Sequence, residues 1–367
     1  MLPANHCTPK NVLERTHVGR GPRLPHHDNQ DESPRIADLC CGMGGLSLAA
    51  RHLGMRIAVG VDVDKHAART FTRNFPEAEF IEGSVRSLKV LERCRELLER
   101  SQSQSTPSIV ISGPPCQGFS VAGSRDPSDP RNQILVAVAR AIVELNPLCA
   151  LIENVSMILA PAHASRLNRF QSTLTDAGYS VRALLLDAAD FGVAQRRKRA
   201  FFLVTRQELD EYEIQDYLER VKEPPLTVQS ALSGLPSPEV RPDHYDDERV
   251  PSGFQNHLAM RHSKRVIDKI AALEPGRGPM SYRKLDPSRP SKTLFSGHRA
   301  PPAHFQEPRS ITVREAARLQ GFPDSFRIYG SFGNQMQQVT NAVPPPLAKA
   351  VLSVLLELVG VTTSAHA

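Results

Sequence analysis

The chain has 367 residues, of which 40% are hydrophobic and 23% charged, so it is long enough to bury a sizeable core. Lysine and arginine outnumber aspartate and glutamate by 45 to 39, and the net charge of +6 suits a polyanionic partner without requiring one. No uninterrupted apolar run reaches the roughly 18 residues of a membrane helix. The first residues lack the apolar core of a signal peptide. We therefore expect a cytoplasmic protein that does not associate with membranes.

The composition also argues against two kinds of site. The six cysteines form no Cys-x-x-Cys pair and no Cys/His spacing typical of zinc, so we predict reduced thiols and no metal. Tryptophan is absent and aromatic residues make up 5%, which disfavours an aromatic platform for single-stranded nucleic acid.

From Arg35 onward, short apolar runs alternate with helical patterns. The apolar runs predict strands at residues 35–39, 57–61, 109–111, 150–152, 181–186 and 200–204. The helical patterns predict helices at residues 46–55, 65–74, 134–145, 312–320 and 346–358. Alternating strands and helices are typical of βαβ units, so we predict an α/β fold built on a parallel sheet.

Periodicity and composition divide the chain into four parts. Residues 1–33 show no periodicity and are predicted to be a disordered tail. Residues 34–206 carry the α/β pattern. Residues 207–307 are rich in Pro, Arg, His and Ser, which indicates a separate smaller unit or a set of ordered loops. Regular structure returns in residues 308–367.

A glycine-rich turn, Asp38-Leu39-Cys40-Cys41-Gly42-Met43-Gly44-Gly45, joins the first strand to the first helix. Glycines let the backbone turn tightly and approach a ligand, and the helix amino end offers amide donors. Asp62 ends the second strand, where an acid can accept hydrogen bonds from ribose hydroxyls. Together these features predict a cofactor that contains adenosine. The alternative is a tight strand–helix turn with a surface aspartate.

The most informative segment leaves a strand as Gly113-Pro114-Pro115-Cys116-Gln117. In open α/β sheets, ligands bind outside the carboxyl ends of the strands. The two prolines stiffen the backbone, and a thiolate is a strong nucleophile. We therefore predict that Cys116 is a nucleophile, whereas Cys40, Cys94 and Cys149 are interpreted as small buried hydrophobes.

Two further groups of polar residues follow strands or precede them. Glu153-Asn154-Val155 ends the next strand, so Glu153 is expected beside Cys116, where it can donate or share a proton; alone it would be a solvated charge. Gln195-Arg196-Arg197-Lys198-Arg199 lies in the turn before a later strand. This cluster can hold a phosphate or a base oxygen, or it can be a solvated face.

In their order along the chain, these blocks resemble those of the cytosine-5 DNA methyltransferases. The blocks are Asp-Leu-x-x-Gly-x-Gly-Gly, Gly-Pro-Pro-Cys-Gln, Glu-Asn-Val, Gln-Arg-Arg-x-Arg and Arg-Glu-Ala-Ala-Arg-Leu-Gln-Gly-Phe-Pro. The resemblance implies a doubly wound, Rossmann-like methyltransferase sheet with a smaller inserted target-recognition domain. Residues 34–206 would be the catalytic and cofactor-binding domain, and 207–307 the recognition region. Residues 308–367 would return to the catalytic domain with a hinge and the C-terminal helix.

The resemblance also implies a reaction. The enzyme would transfer a methyl group from S-adenosylmethionine to carbon 5 of a flipped cytosine in a specific duplex DNA sequence, through a covalent Cys116 adduct. Glu153 would contact ring nitrogen 3 and the amino group, and Arg197 would hold the base oxygen. Gln195 and Arg199 would organise the same loop at the DNA. The implied cofactor-binding residues are Asp38, Cys40, Gly42, Met43, Gly44, Gly45, Asp62, Val63, Ser84, Val85, Pro114, Ile134 and Asn341.

The sequence departs from the family pattern at three cofactor positions. Cys40 stands where the family usually has an aromatic residue, Ser84-Val85 where it has Asp before an aliphatic residue, and Thr340-Asn341 where it has Gly-Asn. No catalytic group is lost. We therefore expect any consequence in cofactor affinity rather than in the reaction.

In the inserted region, Arg261, Arg265 and Arg299 belong to basic runs that we expect on phosphates or in the major groove, the alternative being solvated surface. The expected partners are double-stranded DNA at the nucleoid and a cognate restriction endonuclease as a functional partner, and the protein is expected to be a monomer.

Three alternative functions remain open. They are a transfer-RNA cytosine methyltransferase, a DNA-binding protein without catalysis, and a nicotinamide-dependent oxidoreductase. The last leaves Cys116, Glu153 and Arg197 unexplained.

Overall fold

The computed structural model describes residues 33–100, 107–115, 133–242, 253–279, 282–295 and 301–361. All of them belong to one compact unit, Asp31–Ala367. Cys116, Arg299 and almost all of the predicted tail lie outside the described residues. What the sequence predicts for them stays a prediction.

A seven-stranded sheet forms the centre of the fold within the described residues. The strands are β1 (Arg35–Leu39), β2 (Arg56–Asp62), β3 (Glu79–Glu82), β4 (Ser108–Ser112), β5 (Cys149–Val155), β6 (Ser180–Asp187), β7 (Gln195–Arg196), β8 (Lys198–Thr205), β9 (Glu239–Val240), β10 (Leu258–Ala259) and β11 (Ser291–Lys292). The strand order of the central sheet is β3-β2-β1-β4-β5-β8-β6, and short strands form two additional pairs, β7 with β11 and β9 with β10.

Helices cover both faces of the sheet and make two hydrophobic cores. The helices are α1 (Gly45–His52), α2 (Lys65–Asn74), α3 (Leu88–Glu99), α4 (Ile134–Leu145), α5 (Ala164–Thr175), α6 (Glu211–Arg220), α7 (Val228–Leu232), α8 (Lys264–Ala271), α9 (Val313–Leu319), α10 (Phe332–Asn341) and α11 (Pro345–Leu358). One core contains residues of α3, α4 and α5, and the other contains residues of α1, α2, α6, α9 and α11.

Every strand and helix predicted from the sequence is present, with ends shifted by a few residues at most. The α/β class is confirmed, and the two later strands predicted at residues 181–186 and 200–204 form an antiparallel pair, in which β8 runs antiparallel to both β5 and β6. The reason is the short connection at residues 188–197. A parallel return would need a crossover of about a dozen residues or more, usually through a helix.

The parallel strands bring their carboxyl ends to one edge of the sheet. β1 lies between β2 and β4, and β5 lies beside β4. The chain therefore leaves β1 toward β2 on one side and reaches β4 on the other. Such a reversal of strand order opens a crevice, which is where ligands bind in open α/β sheets. The glycine turn, Asp62, Gly113 and Glu153 all lie at this edge.

Parts of the region predicted to be the recognition region pack against elements of the α/β region and of the C-terminal residues. α6 packs against α11 and buries Ile214 and Leu218 in the core. β11 pairs with β7, next to the basic cluster. Farther along, Arg314 of α9 is fully buried and donates from Nε to the Gln255 carbonyl oxygen at 2.9 Å. The boundaries 207 and 307 themselves stay predictions.

By length and composition alone, the segment Phe332–Leu358 would suffice to cross a membrane. Counting uninterrupted apolar residues misses this segment because polar residues such as Gln335 and Gln338 interrupt it. In the structure the segment is two helices, α10 and α11, and 67% of its apolar window is buried inside the protein. That burial is typical of core helices.

Candidate active site

The glycine turn after β1 adopts a backbone that favours glycine. Cys40, Gly42 and Gly44 have positive φ angles of 61°, 52° and 93°. A Cβ on Gly42 would meet nothing within 4 Å, so this part of the turn faces open space. A Cβ on Gly45 would approach the Val343 carbonyl oxygen more closely than 3.0 Å. The glycines thus leave room on one side of the turn and allow close backbone packing on the other.

Asp62 holds the turn from the end of β2. The Gly42 amide donates to Asp62 Oδ2 at 2.8 Å, and the Asp64 amide donates to Asp62 Oδ1 at 3.0 Å. Burial raises the pKa of Asp62, and these backbone hydrogen bonds oppose the rise. Val63, the next residue, is 68% exposed. An acid and an exposed apolar side chain therefore lie together beside the open part of the turn.

Asp38 lies beneath the turn and is fully buried. The Ser47 hydroxyl donates to Asp38 Oδ2 at 2.6 Å, whereas Asp38 Oδ1 has no hydrogen-bond partner among the described residues. Burial, together with repulsion from Asp62, raises the pKa of Asp38 to about 8 although the Ser47 bond opposes this. A buried carboxyl group with an oxygen that lacks a donor suits a hydrogen-bond donor or a cationic group of a ligand, and a cation there would favour its ionised form.

The remaining predicted cofactor positions differ in their burial. Ser84 follows β3 and accepts a hydrogen bond from the Arg86 amide at 3.3 Å, while Val85 is buried in the core. Ile134 begins α4 and is half-buried. The Met43 side chain packs in the core on the α1 side of the sheet. Asn341 is exposed at the end of α10.

Hydrogen bonds fix the segment that leads to Cys116. The Ser112 hydroxyl donates to the Leu39 carbonyl oxygen at 2.5 Å, which ties the end of β4 to the end of β1. The Asn154 side-chain amide donates to the Pro114 carbonyl oxygen at 3.3 Å. A Cβ on Gly113 would stand 3.7 Å from Glu153 Oε2. Gly113, three residues before Cys116, therefore lies beside Glu153.

Glu153 is a buried acid in an ion pair. Its Oε1 lies 2.7 Å from Arg199 Nε, and the side chains of Glu153 and Arg199 are only 9% and 12% exposed. Burial raises the pKa of Glu153 more than the charges of Arg199 and Arg197 lower it. The carboxyl group therefore binds a proton more readily than an exposed glutamate does, which suits general acid–base chemistry.

Arg197 is 1% exposed and joins three segments. Its backbone amide donates to Asp187 Oδ1 at 2.8 Å. Its Nη2 donates to the Thr340 carbonyl oxygen at 2.8 Å and to the Ala342 carbonyl oxygen at 3.0 Å. Arg197 thus holds the chain on both sides of Asn341 at the edge of the site. Its predicted contact with a base oxygen stays a prediction.

The predicted DNA-contacting residues lie in two places. Gln195 is fully buried, and its Oε1 accepts a hydrogen bond from the Leu294 amide at 3.4 Å, while Arg199 is paired with Glu153. Arg261 and Arg265 are exposed near the start of α8. The structure thus pairs Arg199 with Glu153 and buries Gln195, whereas Arg261 and Arg265 lie on the protein surface.

Two residues of the site escape prediction from the sequence. Asp187 positions the Arg197 backbone, and Val343 packs its backbone against Gly45. Asp187 directly follows the strand predicted at residues 181–186, so its place at the end of that strand could have been found. The contact of Val343 with a glycine almost three hundred positions earlier has no local signal.

Comparison with known proteins agrees with this arrangement. The family described as C-5 cytosine-specific DNA methylase matches residues 34–357. The type II methyltransferase M1.HphI of Haemophilus parahaemolyticus is 31% identical, with 88% of this chain and 86% of that protein covered. The type II methyltransferase M.DdeI of Desulfomicrobium norvegicum is 30% identical, with coverages of 86% and 87%.

A solved structure from Escherichia coli, described as a prophage-encoded DNA modification methyltransferase, superposes with a TM-score of 0.73 at 28% identity. The superposition covers 89% of this chain and all of that one. The match of the family extends over most of the chain and includes all seven strands of the central sheet, the helices α9 and α10 and all but the last residue of α11. The chain therefore belongs to the C-5 cytosine-specific DNA methylase family and is a cytosine-5 DNA methyltransferase.

Proposed function

We propose that this enzyme transfers the methyl group of S-adenosylmethionine to carbon 5 of a cytosine flipped out of a specific duplex DNA sequence, through a covalent adduct with Cys116. The observation that carries the proposal is the position of Glu153. Its buried carboxyl group lies beside Gly113, and Gly113 leads through Pro114 and Pro115 to Cys116. A proton-holding acid next to a proline-stiffened cysteine suits covalent catalysis on a pyrimidine ring.

The residues at the glycine turn fit S-adenosylmethionine. Gly42 leaves open space, Asp62 offers carboxylate oxygens for ribose hydroxyls, and Val63 offers an apolar surface for the adenine. The Asp38 oxygen without a described donor supports a cationic group nearby. When bound, the cofactor supplies an electrophilic methyl group carried on a sulfonium.

Cys116 and Glu153 would share the activation of the ring. As the Cys116 thiolate forms a bond to carbon 6, the electron pair of the carbon 5–carbon 6 bond becomes available at carbon 5, and negative charge develops toward ring nitrogen 3. Glu153, whose pKa is raised by burial, supplies a proton or a hydrogen bond to that nitrogen. After methylation, a base removes the proton from carbon 5, and the bond to sulfur breaks.

Arg197 and Arg199 would organise this chemistry. Arg199 fixes Glu153 in one orientation, and Arg197 holds the segment around Asn341 against the crevice. We infer that the Arg197 guanidinium also contacts the base oxygen. Preorganised donors of this kind stabilise charge that develops during reaction at little reorganisation cost.

Flipping is part of the proposal because carbon 5 cannot be reached inside a duplex. Extruding the base costs a few kcal/mol, which contacts with the DNA backbone and grooves must offset. The exposed Arg261 and Arg265, together with Arg299, are proposed to supply part of these contacts. Their region would read the target sequence.

The test is transfer of a labelled methyl group from S-adenosylmethionine into duplex DNA, with transfer RNA as a parallel substrate. Duplex DNA that carries 5-fluorocytosine should become covalently attached to the wild-type chain in the presence of the cofactor, because fluorine cannot leave as a proton does. Cys116→Ser should abolish attachment while it retains cofactor binding. Attachment that persists in Cys116→Ser, or methyl transfer into RNA alone, would contradict the proposal.

The biological setting is proposed on the likeness to type II methyltransferases. We infer a monomer that works on nucleoid DNA and protects it from a cognate restriction endonuclease. Bisulfite sequencing of cells with and without the gene identifies the methylated sequence. A chain that sediments as a dimer, or methylation that protects the DNA from no endonuclease of the same cell, would contradict this inference.

A further inference from the structure

Two asparagines from distant parts of the chain bind one short segment after α9, residues 323–329, which adopts neither helix nor strand and is called the connecting segment below. Asn74 ends α2, whereas Asn256 lies in the predicted recognition region. The side-chain amide of each asparagine binds both backbone groups of one residue in the segment. Asn74 binds Arg327 in this way, and Asn256 binds the next residue, Ile328.

The contact with α2 involves two residues of the connecting segment. Asn74 Nδ2 donates to the Arg327 carbonyl oxygen at 2.7 Å, and the Arg327 amide donates to Asn74 Oδ1 at 2.9 Å. The Tyr329 amide donates to Oγ1 of Thr70, a fully buried residue one turn earlier in α2, at 3.0 Å. The backbone of the segment is therefore fixed against the last turn of α2.

The contact with the predicted recognition region is buried. Asn256 Nδ2 donates to the Ile328 carbonyl oxygen at 2.6 Å, and the Ile328 amide donates to Asn256 Oδ1 at 3.1 Å. Asn256 is 4% exposed, and Ile328 is fully buried. Because buried backbone groups need hydrogen-bond partners, loss of the Asn256 side chain would leave both groups of Ile328 without these bonds.

A buried arginine reinforces this second contact. Arg314 Nε donates to the Gln255 carbonyl oxygen at 2.9 Å, and its Nη1 and Nη2 donate to the carbonyl oxygens of Pro323 and Phe326 at 2.9 and 2.5 Å. Among the described residues no carboxylate forms an ion pair with Arg314, and burial lowers its pKa to about 10. A buried cation without an anion is costly, so Arg314 favours the arrangement in which these carbonyl oxygens surround it.

The two contacts lead toward the two ligand sites of the proposed reaction. α2 begins directly after its N-cap Asp64, whose amide donates to Asp62, so the helix that ends at Asn74 starts at the proposed cofactor site. On the other side, Arg261 follows Asn256 by five positions. The connecting segment therefore lies between the helix of the cofactor site and the part of the chain that carries proposed DNA contacts.

We propose that Asn74 and Asn256 are positioning residues for methyl transfer. Through the connecting segment they join α2 to the predicted recognition region, and they thereby fix the DNA held by that region relative to the bound cofactor. A displacement of about 1 Å between reacting groups can cost about 10²-fold in rate, which is why a rigid connection matters. The inference rests on the proposed function, because it requires the predicted recognition region to hold DNA.

The test uses full-length variants of the two asparagines. Asn256→Gly removes the side-chain bonds to Ile328, and glycine tolerates the φ angle of 63° at this position. Asn74→Ala removes the side-chain bonds to Arg327. The rate of single-turnover methyl transfer is measured at saturating DNA and cofactor, at a temperature where thermal melting shows every variant to be folded. Cofactor affinity is measured without DNA.

Asn146→Gly is the matched control. Asn146 also has a positive φ angle, 49°, and its side chain accepts a hydrogen bond from Arg206, but it lies between α4 and the start of β5. Asn256→Gly and Asn74→Ala should each lower the rate by about 10- to 100-fold, whereas the control should keep the wild-type rate. Cofactor affinity without DNA should stay at the wild-type value in all three variants.

The double variant Asn74→Ala/Asn256→Gly tests whether the asparagines belong to one connection. If they act in series, either change breaks the connection, so the double variant should be about as slow as the slower single variant. Rate losses that multiply would show two independent local effects and would overturn the proposal. So would a wild-type rate in variants whose melting temperature falls, since the asparagines would then serve stability alone. A loss of cofactor affinity without DNA that equals the loss of rate would place the effect at the glycine turn instead.

Amide hydrogen exchange separates failure of this inference from failure of the proposed function, because it requires no turnover. Exchange in residues 255–262 and 323–329 should become faster in both asparagine variants and stay unchanged in Asn146→Gly. Unchanged exchange in the asparagine variants would refute the connection. Absence of methyl transfer into DNA by the wild type would refute the proposed function, and the exchange rates would still decide whether the two asparagines form one connection.

Discussion

The guanidinium of Arg199 lies 2.7 Å from the carboxyl group of Glu153, and both side chains are almost fully buried. Two effects oppose each other in this pair. Removal from water raises the pKa of Glu153, and the positive charges of Arg199 and Arg197 lower it, with the rise prevailing. The pair therefore sets how readily a proton is available beside the segment that carries Cys116.

Glu153→Gln should slow the chemical step far more than it weakens DNA binding. Glutamine keeps the size of the side chain but cannot transfer a proton, and positioned acids contribute about 10²–10⁴-fold to rate. Single-turnover methyl transfer at saturating DNA measures the chemical step, and anisotropy measures the DNA affinity. Equal losses in rate and in affinity would show that Glu153 serves binding instead.

Arg199→Gln should change the pH dependence of the reaction. Without the guanidinium, the pKa of Glu153 rises further, because the largest remaining effect is burial. If Glu153 acts in its protonated form, the fall in single-turnover rate on the alkaline side should move to higher pH. Lys198→Gln is the matched control, since Lys198 is an exposed neighbour on the same strand. If the fall in rate on the alkaline side occurred at the same pH in Arg199→Gln as in the wild type, Glu153 would not be the proton source.

The positions of strand ends could be predicted, whereas contacts between distant segments could not. Apolar runs mark the buried strands, so the sequence places the glycine turn, Asp62 and Glu153 at one edge of the sheet. The bonds from Arg197 to the carbonyl oxygens of Thr340 and Ala342 join segments far apart in the chain. Such bonds depend on how helices pack over the sheet, and local periodicity carries no information about that packing.

The burial of polar side chains could not be predicted from the sequence either. Gln195 stands in a run of basic residues that reads as a solvated face, yet it is fully buried against the segment after β11. Its burial follows from the pairing of β7 with β11, two strands of two residues each. Strands this short leave no alternation of apolar and polar residues to detect.

Asp38 should make the stability of the enzyme depend on pH. Its pKa is raised to about 8 in the folded protein, chiefly by burial, and is near 4 in an unfolded chain. The folded state therefore holds a proton that the unfolded state releases between these values. The contribution of Asp38 to stability is fully present below about pH 4 and is lost as the pH rises through about 8.

Asp38→Asn should remove this dependence, because asparagine is neutral at every pH and can still accept the hydrogen bond from Ser47. The free energy of unfolding of the variant, minus that of the wild type, should therefore increase from pH 5 to pH 8, by at most about 1.4 kcal/mol per pH unit. Urea denaturation at each pH measures the difference. If the free energies of unfolding of the wild type and of Asp38→Asn changed equally with pH over this range, the raised pKa of Asp38 would be contradicted.

Gly45→Ala should destabilise the protein at the junction between the glycine turn and the end of α10. The added Cβ would come closer than 3.0 Å to the Val343 carbonyl oxygen, and a backbone atom cannot rotate away as a side chain can. Overpacking of this kind costs about 1–3 kcal/mol. Displacement of the turn should also weaken the binding of S-adenosylmethionine, measured by calorimetry in the absence of DNA.

Gly333→Ala is the matched control, because Gly333 lies in α10 and a Cβ there would meet nothing within 4 Å. Gly333→Ala should leave the stability of the protein unchanged or increase it by up to about 1 kcal/mol, since alanine has a higher helix propensity than glycine. Urea denaturation of both variants separates the steric effect at Gly45 from the general effect of replacing a glycine. Equal stability of Gly45→Ala and Gly333→Ala, together with wild-type affinity of Gly45→Ala for the cofactor, would contradict this prediction. The packing of Val343 against Gly45 would then not determine the position of the glycine turn.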